Sequence, residues 1–224
     1  MKPLLCLDMD NTLVYSEEAN VKGYNDALKK VLNIIQKPSL IIKLMGRPHE
    51  EIVKMLIKKA NKTATKEQIK EIMYLHDKFI INKYYKLTKA IPGIKKTLKE
   101  LKKKYNIAAI SNASYKNVIA NLKGAKIPKN LFKAIVGYDQ VKHSKPAPDL
   151  ILKVDKILKT KASYMIGDSI YDIKAAKRAK VKAIAVLTGH YSKTSLKKEK
   201  PLIILKSVNK LPKFLEKEEK CHTI

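Results

Sequence analysis

The feature that most constrains the fold is a short apolar segment, Leu4 to Leu7, which ends at two carboxylates, Asp8 and Asp10. Unbroken apolar runs of this length are typical of strands buried on both faces of a parallel sheet. Polar side chains that follow such a strand lie at its carboxyl end, where open parallel sheets bind their ligands. The N-terminus therefore predicts a central strand that carries two acidic groups to a ligand site.

Strand and helix patterns alternate through the rest of the chain after residue 93. Strands are predicted at residues 107–110, 134–138, 164–166, 183–187 and 202–205. Strands that alternate with helices imply right-handed crossovers and a parallel sheet. The predicted fold class is α/β, a Rossmann-like parallel sheet core with helices on both faces.

The stretch between the first strand and this alternating region has a helical pattern throughout. Apolar residues recur at helical spacing up to Ile35, and Pro38 is expected to end that helix. Thr65 and Gln68 form a capping box that starts a later helix. We therefore predict an inserted α-helical cap above the ligand edge, with these boundaries: residues 1–14 and 89–224 for the discontinuous core, and residues 15–88 for the cap.

The chain is strongly basic, with a formal net charge of +28. Such a charge attracts nucleic acids and anionic metabolites. However, Arg47 and Arg178 are the only arginines, whereas sequence-specific DNA readers depend on the arginine fork. The lysines are spread over every predicted helix, which favours solvated faces over one binding patch. No specific nucleic-acid partner is therefore expected.

Segment lengths and cysteine usage limit the class further. No apolar run approaches the ~18 to 20 residues of a membrane span, and the N-terminal apolar stretch is too short for a signal peptide. We expect a cytoplasmic protein without a membrane partner. Cys6 and Cys221 stand near opposite ends and provide neither a disulfide framework nor a zinc pattern. None of the five histidines pairs at metal-ligand spacing, and His76 is expected to be packed or solvated on a helix face.

Two carboxylates two residues apart at the end of a buried strand can face one pocket. One of Asp8 and Asp10 could attack phosphorus as a nucleophile. The other could protonate the leaving oxygen and then deprotonate water. An ordinary polar turn after a strand is the alternative.

Three further segments carry candidate groups. Asp168 ends a predicted strand and Asp172 lies one helical turn later, so that the pair offers oxygen ligands for Mg²⁺ or, alternatively, caps the helix. Ser111-Asn112 stands at a strand-to-helix junction, where a hydroxyl and N–H groups can hold phosphate oxygens or simply form a turn. Lys145 lies in a rigid Lys-Pro-x-Pro-Asp segment and could neutralise charge beside the phosphate.

Together these segments resemble the haloacid dehalogenase superfamily in sequence and in order. Asp8-Met9-Asp10-Asn11-Thr12-Leu13 resembles its first motif, and Ser111, Lys145-Pro146 and Gly167-Asp168-Ser169-x-x-Asp172 resemble its second, third and fourth. Each motif alone is weak, but four in order after predicted strands are specific. Asn11 stands where glycine is commoner in the family.

The resemblance implies a role for each matching position. Asp8 would be the nucleophile and a Mg²⁺ ligand. Asp10 would be the general acid and base, and would bind the metal through its backbone carbonyl. Ser111 would bind the phosphoryl group, and Lys145 would stabilise it. Asp168 would ligate Mg²⁺. Asp172 would either bind the ion directly or hold the groups that bind it.

The resemblance also suggests the reaction and the substrate. Asp10 argues for a phosphatase or mutase rather than a dehalogenase. Ile91-Pro92-Gly93 and Val186-Leu187-Thr188-Gly189 look most like phosphoglycolate phosphatases. Arg47, at a turn between cap helices, could grip a substrate carboxylate or second phosphate, or could be a surface residue. We expect a phosphatase for a small phosphorylated metabolite, with 2-phosphoglycolate leading, acting as a monomer or homodimer. The alternatives are a β-phosphoglucomutase-like sugar-phosphate mutase, a pyrophosphate or nucleotide phosphatase and, in another class, a basic nucleic-acid-binding protein.

Overall fold

The computed structural model describes residues 2–221. In this part of the chain the strands are β1 (Leu4–Asp8), β2 (Val14–Tyr15), β3 (Lys89–Ala90), β4 (Asn106–Ile110), β5 (Ala134–Val136), β6 (Ala162–Gly167), β7 (Lys182–Val186) and β8 (Ile203–Leu205). The helices are α1 (Glu17–Leu32), α2 (Pro38–Leu44), α3 (His49–Lys59), α4 (Lys66–Asn82), α5 (Ile94–Lys104), α6 (Tyr115–Gly124), α7 (Asp149–Leu158), α8 (Ile170–Arg178), α9 (Lys193–Lys198) and α10 (Leu211–Cys221).

Within residues 2–221, six strands form one parallel sheet in the order β5-β4-β1-β6-β7-β8. The chain first builds outward from β1 through β4 and β5. It then crosses to the other side of β1 and continues through β6, β7 and β8. This reversal opens a crevice beside the carboxyl end of β1. The predicted α/β fold is confirmed, although the strand expected at 134–138 ends at Val136.

The side chains of β1 alternate between two cores. Leu5 and Leu7 pack with α5, α6 and α10, whereas Leu4 and Cys6 pack with α7 and α8. All four are completely buried, and full burial of a leucine side chain contributes about 2 kcal/mol. Cys6 is a buried free thiol, whereas the side chain of Cys221 lies outside the described part of the chain. Burial on both faces fixes β1, and with it the position of the carboxylates that follow.

Helices α1 to α4 pack around a separate apolar core, which includes Leu28, Ile41, Leu56 and Ile72. They occupy the chain between β2 and β3, in agreement with the helical pattern predicted there. β2 and β3 pair as a short antiparallel ribbon where the chain leaves and re-enters the α/β unit. Two-residue strands have no detectable periodicity, so the sequence did not reveal this ribbon.

The capping box at the start of α4 is present as predicted. Gln68 N donates to Thr65 Oγ1 at 3.2 Å, and Thr65 N donates to Gln68 Oε1 at 2.9 Å. The predicted end of the first cap helix was wrong. α1 ends at Leu32 because Asn33 adopts a left-handed φ of 51°, and Ile35 is 69% exposed beyond it. Pro38 starts α2 instead of ending α1.

Candidate active site

The carboxyl edge of the sheet gathers predicted site residues from three strands. Asp8 ends β1, Ser111 directly follows β4, and Asp168 directly follows β6. Because β1 lies between β4 and β6, these positions are neighbours. The side chains are buried, with exposures of 6%, 1% and 6%, respectively.

Lys145 reaches this edge from the loop before α7. Its ammonium donates to Asp8 Oδ1 and to Asp172 Oδ1, the latter at 2.7 Å, and the residue is 2% exposed. Burial alone would lower the pKa of Lys145, but the charges of Asp172 and Asp8 outweigh it and raise the pKa. The lysine is therefore a fixed cation beside the carboxylates.

The carboxylates of Asp8, Asp168 and Asp172 form a buried cluster, in which one oxygen of each lies within 4.8 Å of the others. Burial raises the pKa of Asp8 to about 7, against the opposing charge of Lys145. Burial also raises the pKa of Asp168 well above its usual range, and Asp8 and Asp172 add to the effect. One ammonium thus does not neutralise three carboxylates. A hard divalent cation would offset the excess charge, and oxygen ligands suit it.

Asp172 has the helix-capping role considered from the sequence and also pairs with Lys145, whereas its binding of Mg²⁺ stays a prediction. Its Oδ2 accepts hydrogen bonds from Ser169 N at 3.0 Å and from Ser169 Oγ at 2.6 Å, and Ser169 Oγ caps α8 in return. Its Oδ1 accepts from Lys145. Because both oxygens already have protein partners, Asp172 holds Lys145 in place and stands behind the other two carboxylates.

Asp10 is held by two hydroxyl groups. Ser16 donates to its Oδ1, and Ser111 Oγ donates to its Oδ2 at 3.4 Å. Burial raises the pKa of Asp10, and the hydrogen bond from Ser16 opposes this rise. A carboxyl group with a raised pKa is suited to donate a proton. Nothing in the sequence distinguished Ser16, which also precedes α1 as its N-cap residue, from an ordinary helix start.

Asn112 connects the cap with the lysine loop. Its Nδ2 donates to the carbonyl oxygens of Gly46, at 3.2 Å, and Lys145, at 2.9 Å. Its Oδ1 accepts from Lys145 N at 2.8 Å. The side-chain amide is thus engaged by protein groups that position Lys145, and the predicted contact of Asn112 with substrate stays a prediction.

Arg47 lies in the loop between α2 and α3, where it lines the pocket between the cap helices and the carboxylates. It forms an ion pair with Glu51, and its guanidinium carbon is 5.7 Å from the centre of the Tyr171 ring. Among the described residues, Arg47 Nε is one of the buried polar atoms without a hydrogen-bond partner. A buried donor in this state is available to an acceptor on a ligand.

Gly189 supports Asp168 from the loop after β7. A Cβ atom at this position would lie 2.5 Å from Asp168 Cγ and 2.8 Å from Asp168 Cβ, which is closer than side chains approach. In the sequence, Gly189 was noted only as part of a segment that resembles phosphoglycolate phosphatases, and no local pattern linked it to Asp168.

A pocket of about 50 Å³ separates this edge from the cap helices. Its walls come from both units, with Asp8, Asp10, Lys145 and Asp168 below, and Asn20, Tyr24, Arg47, His49 and His76 above. The residues above the carboxylates include two histidines that spacing along the chain did not connect.

Comparisons with known proteins agree with this architecture. The haloacid dehalogenase-like hydrolase family matches residues 5–186. A phosphoglycolate phosphatase from Aquifex aeolicus is 30% identical over 195 residues, which cover 84% of this chain and 85% of that protein. Pyrophosphatase PpaX from Bacillus mycoides is 24% identical over 214 residues, which cover 94% of this chain and 95% of that protein. The solved structure of a hydrolase from Pseudomonas syringae has a TM-score of 0.81 and 26% identity, and covers 97% of this chain and 99% of that chain.

The parallel sheet, with a lysine-paired carboxylate at the end of its central strand and helices above that edge, has the architecture of an enzyme of the α/β class. Within that class, the chain belongs to the haloacid dehalogenase-like hydrolase family. The predicted membership of the haloacid dehalogenase superfamily is confirmed, as is the prediction of a phosphatase of this family. Between residues 2 and 221, no helix is both long enough and apolar enough to cross a bilayer.

Proposed function

We propose that the chain is a Mg²⁺-dependent phosphatase that hydrolyses a small phosphate monoester through an aspartyl-phosphate on Asp8. The observation that carries the proposal is the contact of the Asp8 carboxylate with the Lys145 ammonium, inside a cluster that also holds Asp168. This arrangement lines the pocket beneath the cap helices. An inactive relative that only bound nucleic acid would have no need of these buried, mutually repelling groups.

The residues present fit a magnesium ion. Asp8 and Asp168 would hold it with carboxylate oxygens and Asp10 with its backbone carbonyl, while Asp172 supports the group. Magnesium prefers few carboxylates together with water and phosphate oxygens. The bound ion would supply positive charge to the phosphoryl oxygens during in-line transfer.

The side chains of the protein would transfer the protons and form and break the bonds to phosphorus. An oxygen of Asp8 forms a bond to phosphorus as the bond from phosphorus to the leaving oxygen breaks. Asp10, whose pKa is raised, gives its proton to that leaving oxygen and later removes a proton from the attacking water. Ser111 and the Lys145 ammonium bind the phosphoryl oxygens. Hydrolysis of the aspartyl-phosphate regenerates the Asp8 carboxylate.

The pocket supports a small leaving group. A volume of about 50 Å³ admits only a few non-hydrogen atoms while the cap is in this position. Arg47 Nε, buried and without a partner in the described chain, suits an anionic oxygen on that leaving group. These features, and the phosphoglycolate phosphatase from Aquifex aeolicus, favour 2-phosphoglycolate or a similar short ester.

Pyrophosphate is the second candidate substrate. The relative from Bacillus mycoides is a pyrophosphatase, and Arg47 would equally suit a second phosphate. A β-phosphoglucomutase-like activity would use the same nucleophile and return the phosphoryl group to a sugar. The measured product separates hydrolysis from mutase activity, because only hydrolysis releases inorganic phosphate. The identity of the substrate that is hydrolysed separates pyrophosphate from a monoester.

The test is phosphate release from a panel of phosphorylated metabolites with and without Mg²⁺. It compares wild type with Asp8→Asn, and uses Asp155→Asn as a control. Asp155 lies in α7 outside the pocket lining, and an asparagine oxygen can still accept the hydrogen bond that Asp155 Oδ1 accepts from Ala162 N. We expect Mg²⁺-dependent release by wild type and Asp155→Asn only. Release by Asp8→Asn at the wild-type rate would refute the aspartyl-phosphate route. Isomerisation of a sugar phosphate without release would make the chain a mutase.

A further inference from the structure

A second group of metal-ligand side chains lies above the catalytic carboxylates. His49 begins α3, and His76 and Asp77 are neighbours in α4. One possible ligand atom from each residue lies within 4.8 Å of the other two. The histidines are 5% and 2% exposed, and both line the pocket.

His49 provides the first independent sign of a missing ligand. Within the described residues, its Nε2 is buried and has no hydrogen-bond partner. A buried polar atom left in this state costs about 1–3 kcal/mol. A buried imidazole nitrogen without a protein partner is placed to act as a metal donor.

The surroundings of His76 and Asp77 provide the second sign. Neighbouring side chains usually hold metal ligands in orientation through hydrogen bonds, and both residues have such neighbours. His76 Nε2 lies 3.1 Å from Asn20 Oδ1, which fixes a proton on that nitrogen and directs Nδ1 toward Asp77. His76 Nδ1 lies 3.3 Å from Asp77 Oδ1. Asn117 Nδ2 donates to Asp77 Oδ1 at 3.0 Å.

The donor set distinguishes this group from the catalytic carboxylates. Two imidazoles and one carboxylate are ligands of borderline divalent transition metals such as Zn²⁺, whereas Mg²⁺ prefers oxygen. If both imidazoles bind through a ring nitrogen and Asp77 binds as a carboxylate, the three ligands bring one negative charge to a divalent ion.

We propose that His49, His76 and Asp77 form a binding site for a divalent transition-metal ion, separate from the catalytic carboxylates. The ion takes the place of any proton shared between His76 Nδ1 and Asp77, and that proton passes to solvent. The fourth coordination position of the ion would face the pocket that these three residues line. Because Asp77 is bonded to Asn117 of α6, the ion would join α3 and α4 to the α/β unit and add positive charge above the phosphoryl site.

The test uses the untagged, full-length protein after chelator treatment, with excess Mg²⁺ present. Zn²⁺ binding is measured by calorimetry for wild type, His49→Gln and His143→Gln. His143 is a matched control, because its Nδ1 lies 3.4 Å from Asp149 but its side chain is 62% exposed. We expect a Zn²⁺ site that His49→Gln weakens at least ~100-fold and His143→Gln leaves unchanged. If the catalytic carboxylates bind Zn²⁺ instead, the Zn²⁺ affinity of His49→Gln will equal that of wild type.

X-ray absorption at the zinc edge decides the question even if His49→Gln fails to fold. We expect wild type to show two imidazole nitrogens at about 2.0–2.1 Å from zinc. A shell made only of oxygen in wild type would overturn the proposal, and so would equal Zn²⁺ affinity of wild type and a folded His49→Gln. Both measurements follow binding rather than turnover, so that failure of the proposed phosphatase reaction would leave them interpretable.

Discussion

Gly189→Ala tests whether the loop after β7 fixes the metal-ligand geometry of Asp168. The new Cβ would overlap Asp168 Oδ2 and would lie 2.5 Å from Asp168 Cγ, whereas ordinary van der Waals contact begins at about 3.4 Å. The carboxylate must therefore move by at least about 1 Å. Metal–ligand distances are set within about 0.2 Å, so a movement of this size would remove Asp168 from the proposed Mg²⁺ site.

Backbone strain does not complicate this substitution, since Gly189 is not among the described glycines with a positive φ. We expect the Mg²⁺ concentration for half-maximal activity to rise about 10- to 100-fold, equivalent to about 1.4–2.8 kcal/mol of binding free energy. The assay is a Mg²⁺ titration of phosphate release, together with thermal unfolding in chelator to show that the fold persists.

Leu187→Ala is the control, because Leu187 lies in the same loop and its side chain is 37% exposed. It should titrate with Mg²⁺ like wild type. If Gly189→Ala also keeps the wild-type Mg²⁺ dependence and rate, the carboxylate of Asp168 is not confined by this loop, and the geometric argument is wrong.

Three further changes have defined outcomes. Lys145→Met should abolish activity and destabilise the metal-free protein by about 3 kcal/mol at pH 7 in urea unfolding, because Asp8 loses its buried counter-ion. The loss of stability should be smaller at pH 5, where the carboxylates take up protons, and an equal loss at both pH values would contradict this. Thr65→Ala should cost about 1 kcal/mol of unfolding free energy, whereas Thr65→Ser, which keeps the hydroxyl bonded to Gln68 N, should cost less. Cys6 is completely buried and burial raises the pKa of its thiol, so iodoacetamide should label the Cys6 peptide only after unfolding, as read by mass spectrometry.

Local patterns were sufficient for most elements of the fold. Apolar runs marked the strands of the sheet, and the Thr65–Gln68 capping box marked the start of α4, because both signals depend on residues close in the chain. Pro38 was misread for a related reason. A proline is compatible with either side of a helix boundary, and only the left-handed turn at Asn33 decided that α1 had already ended.

The sequence by itself determined the order of strands and helices and the residues that reach the carboxyl edge, because each of these follows from short-range periodicity and from the chain direction in a parallel sheet. Only the tertiary structure decided how the side chains pair. The contact of Lys145 with Asp8 and Asp172, the support of Asp168 by Gly189 and the approach of His49 to His76 all join segments distant in sequence. Such contacts depend on the packing of the cap and the core, which no local pattern encodes.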